Sequence, residues 1–221
     1  MTISIFLHVP KTGGSTLRQL MTLNYQPEQI SSIYGDLFSV IHQCRSSIGK
    51  TKALSLIQGH IPYGVHRFMN IKEANYYAFL RQPIDQFYSD IQFSIKNERH
   101  GLHHYFKNAE TLPETWAGIA SSHVYYRNNQ CHYLSGTFFS QEVTLANLNQ
   151  AIDNLWQCKF VGVFDYYEES LLILAKYLGW SSIFGEKLNV ASKRIDLTQK
   201  MKDDGNSLLE YDNVLYAVAL E

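Results

Sequence analysis

Residues 3–20 read ISIFLHVPKTGGSTLRQL. Ile3–Leu7 is a short, unbroken apolar run, the pattern of a strand buried on both faces. A compact loop follows, Lys11-Thr12-Gly13-Gly14-Ser15-Thr16. An amphipathic run carrying Leu17 and Leu20 then predicts a helix over 14–24. Strand, glycine loop and helix together form a cradle for a phosphate-like anion. Glycines let backbone N–H groups come close with no Cβ in the way. The helix start offers unpaired N–H groups and the positive end of its dipole. Lys11 adds a point charge, and Ser15 and Thr16 add hydroxyl donors. The order of residues differs from the nucleoside-triphosphate loop G-x-x-x-x-G-K-[ST], in which the lysine follows the glycines. The competing reading is a plain Gly-rich turn ahead of a helix.

Outward from this stretch, buried strands are predicted over 53–58 (ALSLIQ), 75–80 (NYYAFL) and 159–164 (KFVGVF). Helices are predicted over 36–47 with Asp36 as N-cap, from Pro83 to about Asn97, over 113–121, 144–156 and 166–178, and near 207–220. Pro83 sits at a first helical position, where its missing N–H has no partner to lose. In the 144–156 helix, Leu145, Leu148, Ile152 and Leu155 fall on one face. Strands alternating with helices predict one α/β domain over residues 1–221, a central parallel sheet flanked by helices with P-loop-like nucleotide-binding architecture.

A formal net charge of −1 gives no bulk electrostatic case for nucleic acid or an anionic membrane. The three cysteines match neither a zinc spacing nor a disulfide framework, and read as reduced structural thiols. No apolar run is long enough to span a bilayer, and the first strand begins at Ile3. The expectation is a soluble cytoplasmic protein, or the excised domain of a larger one.

In a parallel sheet, ligands bind beyond the carboxyl ends of the strands. The residues expected to converge there are the Lys11 loop, His60, Arg81 and Asp165. His60, just after Gly59, is the residue type best suited to proton abstraction near neutral pH, with His66 next in line. Arg81 follows a buried strand directly. Gln86 and Ser89 lie three apart on the following helix and so share a face. Arg81 with Ser89 can hold a second phosphate. Asp165 reads first as an N-cap. His100, His103 and His104 have spacing that permits a metal only if helical, and Gly101 between them favours a loop lining an acceptor pocket, joined by Tyr125, Tyr126 and Arg127.

The run V-P-K-T-G-G-S-T at 9–16 resembles the phosphosulfate-binding loop of the PAPS-dependent sulfotransferases, in particular the family that includes the heparan sulfate 2-O-sulfotransferases and small bacterial relatives. R-Q-P-I-D-Q-F-Y-S at 81–89 resembles that family's 3′-phosphate run, R-D-P-x-x-R-x-x-S-x-Y. Arg81, Pro83 and Ser89 match, while Gln82, Gln86 and Ile91 depart. Gln86 removes one positive charge, for which Lys193 or Arg194 can compensate. The Gly-His pair at 59–60, the run NQCHYLSG at 129–136, the segment 160–170 and the late basic loop NVASKR at 189–194 also resemble family segments. The resemblance implies that PAPS is the donor, with no metal. Lys11, Thr12, Gly13, Gly14, Ser15, Thr16, Arg81, Ser89, Lys193 and Arg194 would bind it. His60 would be general base, Lys11 would stabilise the leaving group, and the acceptor would be a hydroxyl of a glycan or small metabolite. Two alternatives stay open: a P-loop kinase or NTPase, and a non-catalytic nucleotide-binding module.

Overall fold

A computed structural model describes residues 2–35, 39–43, 54–137, 141–183 and 195–221. Five strands form one all-parallel sheet: β1 (Ile3–Leu7), β2 (Ile30–Ile33), β3 (Leu56–Gly59), β4 (Ala74–Leu80) and β5 (Phe160–Val163), in the order β2-β3-β1-β4-β5. The principal helices are α1 (Gly14–Asn24), α2 (Pro83–Lys96), α3 (Asn129–Ser135), α4 (Leu145–Gln157), α5 (Tyr167–Leu178), α6 (Gln199–Asn206) and α7 (Glu210–Ala219).

Side chains alternate across the strands, so the sheet carries two cores. Ile5 and Leu7 of β1 and Tyr76, Ala78 and Leu80 of β4 pack with Cys131 and Leu134 of α3, Leu148 and Leu155 of α4, and Leu215 of α7. Phe6, Tyr77 and Phe79 face the other way, onto Leu17 and Met21 of α1 and Leu174 of α5. A third cluster lies beyond the carboxyl edge, where α2 packs through Phe87, Ile91 and Ile95 on Phe106, Trp116 and Met201. Among the described residues, no helix is long and apolar enough to cross a membrane.

Two helices cap each other. Asp212 in the first turn of α7 accepts the N–H groups of Gln130 and Cys131 at the start of α3, at 3.0 and 2.7 Å. Asn128, just before α3, accepts those of Tyr211 and Asp212, at 2.9 and 3.1 Å. Each side chain satisfies N–H groups that the other helix leaves without partners.

Several expectations are corrected. β2 was not predicted, because Ser31 and Ser32 interrupt its apolar pattern. The expected carboxy-terminal helix is α7, and α6 ahead of it was not predicted. α3, not predicted as an element, is helical with every residue from Asn129 to Leu134 buried. Leu145 starts α4 but is 61% exposed, off the packed face. Thr144 instead caps that helix, accepting the Asn147 N–H at 3.3 Å. Residues 39–43 are helical as expected, while Asp36 and most of the predicted 36–47 helix lie outside the described residues.

Candidate functional site

Strand register decides which side chains meet. Leu7 pairs with Gly59, and Gly59 with Ile33, so β1, β2 and β3 end level. The next residues, His8, Tyr34 and His60, therefore emerge side by side. The His8 and His60 ring centroids are 4.8 Å apart, as are those of Tyr34 and His60. β4 runs further: Leu7 pairs with Ala78, and Leu80 with Val163. Arg81 thus emerges level with the glycine loop and with Phe164. Its guanidinium donates to the Lys11 carbonyl at 3.0 Å and lies 4.6 Å from the Phe164 ring centroid. The Gln130 amide clamps the Arg81 backbone, accepting its N–H at 3.0 Å and donating to its carbonyl at 2.8 Å.

The loop itself needs its glycines. Gly13 precedes α1 at φ 87°, where a Cβ would also fall 2.5 Å from the Tyr167 ring. Gly14 has helical backbone, but a Cβ there would lie 2.0 Å from Cδ2 and 2.1 Å from Nε2 of His8. Lys11 holds a left-handed φ of 64°. Thr12 is fully buried, its hydroxyl donating to the Val9 carbonyl at 2.8 Å. Tyr167 donates to the Gly13 carbonyl at 3.0 Å. Ser15 and Thr16 lie in the first turn of α1, whose N–H groups have no intrahelical acceptors.

A hydrogen-bonded chain fixes His8. Gln58 donates to Ser32 Oγ at 2.6 Å and accepts from the Tyr34 hydroxyl at 2.8 Å. Having donated its proton, Tyr34 accepts from His8 Nδ1, also at 2.8 Å. The Nε2 atom of His8 is therefore the unprotonated nitrogen. Burial, with His60, Arg18 and Lys11 nearby, pushes His8 down to about 3. Burial, with His100 and Arg18 nearby, pushes His60 down to about 4. Both rings are neutral at physiological pH, chiefly because they are buried, and the cations Arg18 and Lys11 nearby favour an anion.

Arg81 and Ser89 come together in a pocket of about 50 Å³ lined also by Asp85, Tyr88, Gln92, Ile195 and Leu197. Gln86 does not share that face with Ser89. It is buried, donating its amide to the Pro10 carbonyl at 3.1 Å, where it braces the glycine loop from below. Lys193 and Arg194 lie outside the described residues. Asp165 is not an N-cap: its carboxylate accepts from the Tyr216 hydroxyl at 2.6 Å. His66 is turned away, its Nδ1 2.6 Å from the Tyr76 hydroxyl. The histidines of 100–104 act separately: His100 Nδ1 accepts the Leu102 N–H, while His103 Nδ1 lies 3.2 Å from the Ser94 carbonyl.

Four side chains at the site were not predicted: His8, Tyr34, Arg18 and Asp90. His8 was accessible to the strand-end rule that selected His60. Asp90 shows as a carboxylate within the buried pattern of α2, between Phe87 and Ile91. Tyr34 and Arg18 carry no local signal, because their role depends on β2 and α1 lying next to His8. No family model matches this chain, and no curated protein matches it.

Proposed function

We propose that the protein transfers a sulfuryl group from PAPS to an acceptor hydroxyl. The observation that carries this reading is the position of Arg81. One guanidinium braces the glycine loop through the Lys11 carbonyl and borders the pocket holding Ser89. The glycine loop and a polar pocket that Asp85 also lines thus sit side by side, which supports a nucleotide with a phosphosulfate at one end of its ribose and a phosphate at the other.

In this reading the loop N–H groups and the start of α1 hold the phosphosulfate. The acceptor oxygen attacks sulfur in line. The new O–S bond forms as the bond from sulfur to the bridging nucleotide oxygen breaks, and the acceptor proton passes to His60. Lys11 and the loop N–H groups take up the charge that grows on the departing oxygen. Catalysis is then positioning and electrostatic stabilisation, with no covalent intermediate. His60 suits the role because it is neutral at pH 7, and the arriving negative charge of the donor raises its basicity. The second reading, a binding module without turnover, draws on Gln86, which stands where the resembled run has an arginine and uses its amide on the loop. The acceptor of the transfer reading is a hydroxyl of a glycan or a small metabolite.

A thermal-shift comparison of adenosine 3′,5′-bisphosphate with ATP plus magnesium tests the reading. A ligand at ~100 times its Kd adds about 2.7 kcal/mol, or roughly 5–10 °C for a domain of this size. Stabilisation by the bisphosphate, lost in Arg81→Ala, supports the donor site. Stabilisation by ATP with magnesium alone overturns it in favour of a kinase or NTPase. Bisphosphate binding without transfer across an acceptor panel favours the binding module.

A further inference from the structure

Lys11 has a partner that the transfer reading does not use. Its ammonium lies 4.5 Å from the centroid of the Phe93 ring. Asp90 is three residues before Phe93, so both side chains leave the same side of α2 toward the loop. The Asp90 carboxylate is only 3% exposed and is hydrogen-bonded with Tyr125. Lys11 and Asp90 feel each other's charge across this side of the helix without the direct contact of an ion pair, and a buried carboxylate is less costly with a cation nearby than alone.

We propose that Asp90 is the resting counterion of Lys11, a positioning residue that, with the Phe93 ring, holds the loop's ammonium until a polyanionic nucleotide takes it over. The electrostatics agree with the geometry. Burial lowers Lys11, and the negative charge of Asp90 opposes that while Arg81 adds to it. Burial raises Asp90 to about 6, and both the Tyr125 hydrogen bond and the charge of Lys11 oppose that. The other titratable groups facing the pair are His8, lowered by burial and least by Lys11, and Tyr125, Tyr126 and Tyr133, raised by burial and further by Asp90. The handover rests on the nucleotide reading above, whereas the counterion pairing does not.

The handover has a consequence in protons. When Lys11 leaves for the nucleotide, Asp90 loses a cation that offsets its burial. Its carboxylate then takes a proton from the buffer, forming a neutral carboxyl group. Nucleotide binding near pH 7 is therefore accompanied by proton uptake.

Two measurements test this. In the free protein, lysine side chains labelled for NMR give the titration midpoint of Lys11. Asp90→Asn, which keeps the shape of the side chain, lowers that midpoint. Phe93→Leu, at a half-exposed position that does not threaten folding, lowers it by less. An unchanged midpoint in Asp90→Asn overturns the counterion role, whatever the protein binds and whatever Phe93→Leu does. In the second measurement, adenosine 3′,5′-bisphosphate is titrated calorimetrically in buffers of different ionisation enthalpy. The wild type takes up a proton. Asp90→Asn takes up less and binds roughly tenfold more tightly, the equivalent of one pKa unit of relieved repulsion. Binding by the wild type with no more proton uptake than by Asp90→Asn overturns the handover. Absence of bisphosphate binding overturns the nucleotide reading and the handover with it, while the free-protein titration still decides the pairing.

Discussion

Gly14→Ala separates helix propensity from tertiary packing, because the two predict opposite signs. Gly14 is the first residue of α1 and has helical backbone. Propensity alone therefore favours alanine, by up to about 1 kcal/mol. The new Cβ, however, would lie 2.0 Å from Cδ2, 2.1 Å from Nε2 and 2.8 Å from Cγ of His8. Real carbon contacts are far longer, so the imidazole or the helix start must move. His8 has little room to yield: it is 8% exposed, packed on Phe6 and His60, and tied through Nδ1 to Tyr34. Overpacking of this kind costs about 1–3 kcal/mol. Breaking the His8–Tyr34 hydrogen bond adds about 0.5–1.5 kcal/mol. Set against the propensity gain, Gly14→Ala is expected to destabilise by about 1–3 kcal/mol. Urea unfolding of the wild type, Gly14→Ala, His8→Ala and the double variant gives the full cycle. With the ring removed, Gly14→Ala becomes neutral or mildly stabilising, so the two changes couple strongly. If Gly14→Ala is neutral or stabilising in the wild-type background, the contact between ring and glycine does not exist as described.

Lys11→Ala and His60→Ala are each expected to reduce turnover by ~10² or more, read as kcat with a working acceptor; near-normal turnover in His60→Ala places the base elsewhere, with His66 next. Acid sensitivity follows from the buried titratable groups. His8 is held at about 3, and His60 and His132 at about 4, all below their ordinary 6.5. The unfolded chain therefore binds more protons than the native one below pH 6.5, and the stability of the neutral rings is lost as pH falls. At pH 5 this amounts to about 2 kcal/mol for each ring. Asp90 and Asp212, raised to about 6, act in the opposite sense and offset nearly half. Urea unfolding is thus expected to show a loss of about 3 kcal/mol between pH 7 and 5; equal or greater stability at pH 5 refutes the assignment of neutral buried rings. Asp212→Ala leaves two buried N–H groups of α3 without an acceptor and is expected to cost about 3 kcal/mol. Because Asn128 caps the helix that carries Asp212, Asn128→Ala combined with Asp212→Ala should cost less than the sum of the two; strict additivity counts against reciprocal capping.

Much of the architecture is readable where local chemistry is strong. The apolar runs of β1, β3, β4 and β5, Pro83 at the start of α2, and the spacing of Leu171, Leu174, Ala175 and Leu178 in α5 each carry their own signal. β2 fails that test because it lies at the sheet edge, where Ser31 and Ser32 are tolerated. The same edge strand brings Tyr34 to His8, so missing the strand also hid the hydrogen-bonded chain. Gln86 looked like a weakened phosphate ligand because sequence spacing cannot say which way a helix is rotated. Packing of Phe87 and Ile91 into the core under the loop sets that rotation, directing Gln86 to the Pro10 carbonyl and leaving Ser89 beside Arg81.

The sequence by itself determined the strand, the glycine loop and the helix of residues 3–20, the parallel α/β class, and the residue types gathered at the carboxyl edge. Those follow from short-range causes: apolar periodicity, the backbone freedom of glycine, and proline at a helix start. The tertiary structure alone decided which of those residues meet. β1, β2 and β3 end level while β4 runs further, and that difference in register sets His8, Tyr34 and His60 together and places Arg81 against the loop and Phe164. Register and helix rotation are fixed by packing between segments far apart in the chain, and no local stretch of sequence contains that information.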